Sequence, residues 1–380
     1  MALIYVDATN GNDTTGAGTS GNPYASISKA FTVVAIGDTV KVANTSAQAI
    51  GALAMPSITT TTDAWLIIEG WDNGGSATIT KPDGNDLTDV GVIEGRFTGT
   101  LSFVKFRRLK FSNYNLANQP VYTNISTVIY EECDFEGLTY NGNVCIINSN
   151  STVRFCSFRN LNANLANAVP LQVSNSNSAV YGNFFYNCRK SVVAGGSYLT
   201  ITDNIFVSAG DYCLSLGAAD RAYIANNTFI GDATASSHGI TFTNTGMEYC
   251  SIFNNHFQDF SGSGSYAINA GAQTWPTTAG TFDLVGRNSF YNNTADYNTG
   301  GNFAASIMTD LRSLDISESA EPLEDKANFI YYKKSTATSY GNSSYGDGWN
   351  YTATKFNKTT GAAQNEIGAG GGGETSHVSG

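Results

Sequence analysis

Residues 223–231 read YIANNTFIG, and the reading of the asparagine pair decides the fold. Tyr223, Ile224, Phe229 and Ile230 are strand-like, but asparagine is depleted in strands because its side chain competes with the backbone ladder. Other segments share the pattern. Phe111, Phe135, Phe158, Phe185, Phe206, Phe229, Phe257 and Phe290 recur at spacings of 24, 23, 27, 21, 23, 28 and 33. Five residues before each stands Phe106, Tyr130, Val153, Val180, Ile201, Ile224, Ile252 or Val285, all apolar or aromatic. Two residues before each stands Leu109, Cys133, Cys156, Asn183, Asn204, Asn227, Asn255 or Asn288, a column that turns from apolar to asparagine and stays so. Self-similarity at about two dozen residues marks a solenoid.

A unit of this length with two or three short strands cannot bury an apolar face alone, whereas stacked coils bury a common core. Paired strands lie roughly 4.8 Å apart, so eight rungs stack over roughly 34 Å and equivalent residues lie above one another. The Phe column and the column five residues earlier are expected as interior stacks. The asparagine column falls between them, where the chain turns a corner. Asparagine tolerates a left-handed backbone, and its amide can donate and accept along the stack. A ladder of amides would satisfy the polar groups of the corner. A second apolar strand precedes each corner unit, at Cys145–Ile147, Leu171 and Val173, Val192 and Val193, Leu214 and Leu216, Ile240 and Phe242, and Ile268.

Composition agrees with strands and turns: of 380 residues only 13% are charged, with 40 Gly, 21 Phe and 20 Tyr. A net charge of -11 and the absence of a basic stripe argue against nucleic acid as a partner. The opening MALIYVDATNGND has no charged leader or small-residue cleavage site, so a cleaved signal peptide is not expected. No apolar run reaches 18 residues, and membrane insertion is not expected. The six cysteines, Cys133, Cys145, Cys156, Cys188, Cys213 and Cys250, contain no CxxC pair, and free buried thiols are favoured over a disulfide framework. Cys133 and Cys156, on successive rungs, come near disulfide range but are expected to be reduced.

Three regions follow. Residues 1–45 hold an opening strand, a glycine-rich loop and a capping helix over 26–36, begun by Ser26 or Ser28 and ended at Gly37, with Ile27, Ala30, Phe31 and Val34 on one face. Residues 46–294 hold the coils. The repeat fades after 294, and residues 295–380 form a closing or assembly region with a glycine-rich tail. The opening YVDATNGNDTTGAGTSGNPYASISKAF, the segments GDTVKVA at 37–43 and WLIIEGWDNG at 65–74, and NEIGAG at 365–370 resemble the pectate-lyase-like right-handed parallel β-helix superfamily. The resemblance implies an all-β, right-handed parallel β-helix. It implies no single activity, since the superfamily includes polysaccharide lyases, glycoside hydrolases, adhesins and phage spike proteins.

Lyases of this fold use a Lys or Arg base near calcium-holding carboxylates, and hydrolases use paired acids. The repeats offer Asp203, Asp211, Asp220 with Arg221, Asp232, His238 and His256. Asp203 precedes Asn204 and reads as part of the corner, Asp220 and Arg221 as an exposed ion pair or turn, and His238 as a loop residue. His256 is expected to point outward and to be able to touch a ligand. The segment DATNGND at 7–13 suggests calcium but lacks the closing Glu of a calcium loop, so a glycine-rich turn is favoured and no cofactor is expected. No catalytic set converges on one face.

Sparse catalytic groups and the missing export signal favour a structural or binding component of a phage particle: a capsid decoration, cement or spike protein. Such a protein would form a homo-oligomer, a trimer being favoured, with other virion proteins as partners and the virion as its location. The alternative is a lyase or glycosidase acting on bacterial surface polysaccharide, with Trp275, Tyr291 and Tyr297 as exposed aromatics able to stack on sugars.

Overall fold

A computed structural model describes residues 1–79, 87–112, 121, 126–136, 142–161, 169–217, 219–233, 236–243, 249–270, 284–286 and 288–298, with short stretches between 309 and 358. The chain forms two compact units that divide between Ser178 and Ala179. In the first, Leu3–Val6, Thr39–Ala43, Leu66–Trp71, Val104–Arg107, Val128–Glu131 and Thr152–Arg154 pair in that order, all parallel. A second sheet runs through Gln48–Ala54, Gly91–Thr98, Leu109–Phe111, Asp134–Glu136 and Ser157–Arg159, and Asn143–Ile147 pairs with Val169–Val173.

The second unit repeats the plan. Ala179–Tyr181, Thr200–Thr202, Tyr223–Ala225, Ser251–Phe253, Leu284–Gly286 and Thr309–Leu311 form its first sheet. Two long bent strands, Phe184–Ala194 and Ile205–Leu216, each supply two faces of a coil. Beyond them the second face continues through Thr228–Ile230, His256–Gln258, Ser289–Tyr291 and Ile316–Ser317, and the third through His238–Phe242, Tyr266–Asn269 and Tyr297–Asn298. Every one of these pairings is parallel, and the architecture is a parallel β-helix.

The interior stacks lie where the repeat puts them. Phe111, Phe135 and Phe158 are in register, with ring centroids 5.0 and 4.7 Å apart. Phe185, Phe206, Phe229, Phe257 and Phe290 follow at 4.9, 4.8, 4.7 and 5.4 Å. All eight are buried, as are the eight residues of the partner column. In the second unit the amides form a continuous ladder. Asn183 donates through its backbone N–H and Nδ2 to Asn204 Oδ1 at 3.0 and 2.9 Å. Asn204 does the same to Asn227, Asn227 to Asn255 and Asn255 to Asn288. The Asn288 backbone N–H then donates to Asp315 Oδ1 at 2.8 Å.

The left-handed residue of the corner is not the ladder asparagine but its predecessor. Gly182, Asp203, Asn226 and Asn254 have φ of 65, 58, 58 and 58°, and Arg108, Glu132 and Phe155 hold the same place in the first unit. A second left-handed column, Phe103, Thr127, Asn150, Asn177, Tyr198, Arg221 and Tyr249, stands before the first-sheet strands, with φ between 55 and 61°. Side chains such as Phe, Thr and Tyr accept this backbone at a cost of about 1–2 kcal/mol each. Coil-to-coil bonds such as Phe103 N–H to Thr127 O at 2.8 Å fix the turn and offset that cost.

The first unit, which has Leu109, Cys133 and Cys156 at the ladder position, is held from outside instead. Lys41, Glu69, Arg107, Glu131 and Arg154 lie in register across five strands and alternate in charge. Each neighbouring pair forms a salt bridge, that of Arg107 with Glu131 at 3.1 Å. A slip of one residue would remove the alternation.

Three expectations change. The helix spans only Ile27–Phe31, capped by Ser26 Oγ on the Lys29 N–H, because the Thr32 hydroxyl takes the Lys29 carbonyl and the chain turns toward Gly37 at φ 80°. The coils are not confined to 46–294: first-sheet strands begin at Leu3, and coil strands continue to Ser317. Their continuation was hidden because Ser317 replaces the phenylalanine and Asp315 the asparagine. Beyond them lie the antiparallel pairs Leu323–Asp325 with Ile330–Lys333 and Trp349–Asn350 with Asn357–Lys358; NEIGAG lies outside the described residues.

Asn227→Leu removes three buried donor contacts, to Ile201 O, Ala225 O and Asn255 Oδ1, and the acceptor for two Asn204 N–H groups. A loss of roughly 3 kcal/mol is expected by denaturant unfolding. Asn175→Leu, at an exposed turn with one amide bond to Asn148, should cost under about 1 kcal/mol.

Candidate functional site

The third face of the second unit carries the richest outward chemistry among the described residues. Its register aligns Lys190, Tyr212, His238 and Tyr266, all partly exposed. A second column, Ser215, Thr241, Asn269 and Asn298, runs beside it, the first two buried and the two asparagines partly exposed. The Lys190 ammonium sits 5.7 Å from the Tyr212 ring centroid, and the His238 and Tyr266 rings stack at 5.8 Å. Side-chain bonds join the columns: Tyr212 with Ser215, His238 Nε2 3.1 Å from the Asn269 amide, and Asn298 Nδ2 donating to Asn269 Oδ1 at 2.9 Å. Asp211 accepts from Arg189 Nε at 2.9 Å and lies 3.7 Å from the Lys190 ammonium.

Environment sets the protonation of this face. Burial, with the Asp211 charge, pushes the Tyr212 phenol up to about 12, so it remains a hydrogen-bond donor at neutral pH. Burial lowers the His238 pKa, and the Tyr266 backbone N–H donating to Nδ1 fits a neutral ring. A row of aromatic side chains beside partly exposed amides can lay ring edges against a ligand and hydrogen-bond it.

Of the sequence candidates, the structure brings Asp211 and His238 onto this strip. His256 is buried, contrary to expectation, with Nδ1 3.1 Å from Ser289 Oγ and Nε2 2.9 Å from Gln258 Oε1; these neighbours close over it. Asp232 lies in a turn whose carbonyl accepts from Ser237 Oγ at 3.3 Å. Arg221 takes no salt bridge with Asp220: its guanidinium lies between Tyr198 and Tyr249. Tyr291 is a half-buried strand residue, Tyr297 donates its hydroxyl to Asp315 Oδ2 at 2.7 Å, and Trp275 lies outside the described residues. Arg189, Lys190, Tyr212, Tyr266 and Asn269 escaped the sequence reading. Extending the repeat alignment to the third strand would have placed Tyr212, His238 and Tyr266 in one column.

Asp203 keeps its corner role. Burial raises its carboxyl to about 7 against hydrogen bonds from Thr202 and Asn226, and its Oδ1 has no hydrogen-bond partner among the described residues. Because the folded pKa is raised, this group's contribution to stability is full below about pH 4 and is lost as pH rises through 7. Asp203→Asn should therefore raise the melting temperature at pH 8, with the gain shrinking toward pH 4; a gain unchanged across that range would contradict the assignment.

The DATNGND segment does not offer a calcium cage. Asp7 accepts from the backbone N–H groups of Thr9 and Asn10, from Thr45 Oγ1 and from the Asn10 and Asn73 amides. Burial would raise its carboxyl, yet these donors hold it at about 2. Asp13 accepts from the Ala25 and Ser26 N–H groups and the Ser26 hydroxyl. Carboxylates already surrounded by donors present no free lone pairs to a cation. Added calcium or a chelator should leave the melting temperature unchanged.

A family model described as "Periplasmic copper-binding protein (NosD)" matches residues 112–306, just over half of the 380. The chain belongs to that family. Among solved structures it is similar to a rhamnogalacturonan lyase, at 11% identity and a TM-score of 0.43 over 89% of this chain and 97% of the other. It is also similar to the GH136 lacto-N-biosidase from Eubacterium ramulus, at 13% and 0.43 over 83% and 68%. A third likeness is to XylC in complex with xylose, at 9% and 0.46 over 77% and 75%. Such distant likenesses carry no argument about activity. No curated protein matches.

The copper of the family's description does not fit the described residues. Among them no three His, Cys, Asp or Glu side chains converge as a donor set. All six cysteines are free and buried, and burial raises the thiol pKa of Cys145, Cys156 and Cys213, which keeps them from the thiolate form a metal requires. The nitrogens of His238 and His256 are engaged as above. No described helix is long and apolar enough to cross a membrane.

Proposed function

We propose that this protein recognises glycans, with the strip of Lys190, Tyr212, His238 and Tyr266 as the binding face. What carries the reading is the register that lines up three aromatic side chains along the coils beside the partly exposed amides of Asn269 and Asn298. A sugar chain has the matching chemistry, alternating apolar C–H faces with a hydroxyl rim. The function is recognition without cleavage: Asp211, the carboxylate of this strip, is tied to Arg189 and Lys190, and both His238 nitrogens have partners.

A periplasmic or extracellular location accompanies this reading, in line with the family's description. Free cysteines do not oppose it, because all six thiols are buried away from oxidants and partners. The phage-particle component, its trimer and its virion partners draw no support from this geometry or from the relatives named above.

Screening the full chain against neutral and acidic glycans should give a ligand whose affinity falls by about tenfold in Tyr212→Ala and in Tyr266→Ala, as loss of an aromatic contact predicts. No unsaturated or reducing sugars should be released. Full affinity in both variants would sink the assignment, and sugar release abolished by Asp211→Asn would make the protein an enzyme.

A further inference from the structure

His238 lies between two donors and can accept from only one of them. On one side the Tyr266 backbone N–H meets Nδ1 at 3.2 Å. On the other, Nε2 lies 3.1 Å from the Asn269 amide, which in turn meets the Asn298 amide at 2.9 Å. A neutral imidazole has one acceptor nitrogen and one N–H. A backbone N–H cannot exchange donor for acceptor, so Nδ1 is the acceptor and Nε2 carries the proton. With Asn298 donating to Asn269 Oδ1, the Asn269 Nδ2 would face that proton, donor against donor. An amide exchanges its oxygen and nitrogen by a half-turn, and two such turns remove the conflict. His238 Nε2–H then donates to Asn269 Oδ1, and Asn269 Nδ2 donates to Asn298 Oδ1.

The buried histidine of the same unit shows what otherwise fixes such a direction. Gln258 Nε2 donates to the Asp259 carboxylate at 3.1 Å, so Gln258 offers Oε1 to His256 Nε2, and the Ser289 hydroxyl donates to Nδ1. The His238 row runs instead to Asn298, a partly exposed amide, and takes its direction from the ring. Turned this way, the row finishes on the Asn298 N–H groups, which suit an acceptor oxygen of a ligand.

The groups that face the ring across the coils are Tyr212 and Asp211 on one side and Tyr266 on the other, with Lys190 one coil beyond Tyr212. The strand His238–Phe242 itself brings no other titratable side chain. Burial keeps the ring neutral at neutral pH, with the Asp211 charge acting the other way. A proton on Nδ1 would stand against the Tyr266 N–H.

We propose that His238 is a positioning residue of the third face: held as the Nε2–H tautomer by the Tyr266 backbone, it directs the Asn269–Asn298 row so that its end donates, and protonation of Nδ1 releases the ring from Tyr266. The consequence for a ligand rests on the third face being the glycan-binding face; the tautomer and the direction of the row do not.

The test is therefore made without a ligand, by NMR of the isotopically labelled full chain from mildly alkaline to acidic pH. At the alkaline end, long-range proton–nitrogen spectra should show His238 as the Nε2–H tautomer, and an Nδ1–H ring overturns the proposal. On acidification the Tyr266 backbone amide signal should shift along the His238 titration, with a midpoint below the ordinary histidine value of about 6.5. A Tyr266 amide that ignores that titration overturns it as well. His238→Phe keeps a ring against Tyr266 and removes both nitrogens, and it should shift the side-chain amide signals of Asn269 and Asn298. His238→Gln, which restores an N–H toward Asn269, should return those signals toward their original positions while the Tyr266 amide no longer follows pH. Asn269 and Asn298 signals unmoved in the Phe variant would leave His238 a packing residue only. Should either variant fold poorly, the tautomer and the Tyr266 shift in the unmodified chain decide.

Discussion

The structure depends on keeping parallel coils in register, because every other feature is a column and a column exists only if each coil repeats the one before. Hydrophobic stacking favours this arrangement but tolerates sliding, since one phenylalanine face resembles another. Hydrogen bonds between corners do not. In the second unit each ladder asparagine donates twice to the next amide oxygen, and a shift of one residue would leave buried donors unpaired. In the first unit the alternation of Lys41, Glu69, Arg107, Glu131 and Arg154 does the same work from outside, with thiols and a leucine at the interior position.

Fixed register also explains how this fold makes surfaces. Residues far apart in sequence, such as Lys190 and Tyr266, fall in one line because each is carried on its own coil. A row of rings on the third face and a row around Arg221 on another edge follow from the same geometry. Neither needs a loop to hold it. Much of the side-chain chemistry that looks catalytic in isolation, including Asp203, His256, Asp7 and Asp13, is spent on holding coils and turns together.

The repeat made the fold legible: eight phenylalanines with an apolar residue five before and an asparagine or its stand-in two before leave few alternatives to stacked coils. The same residues disclosed the amide ladder. They did not disclose that the left-handed residue is the predecessor, because Arg108, Glu132 and Phe155 show no preference for that backbone. Nor did they show the coil strands that continue to Ser317, where serine and aspartate replace the diagnostic residues. The binding strip was half legible. Asp211 and His238 stood out as titratable, while Tyr212 and Tyr266 looked like two more of 20 tyrosines.

By itself the sequence determined the class of fold, the interior stacks and the asparagine column, since these follow from periodicity and from what apolar and amide groups require when buried. Tertiary structure alone decided which side chains meet outside: His256 closed in, His238 stacked on Tyr266, and Arg221 between two rings instead of paired with Asp220. Periodicity specifies the residue that repeats inside each coil. Outside, neighbours are set by the bend of each coil and by the register between coils, and neither is written in any local stretch of residues.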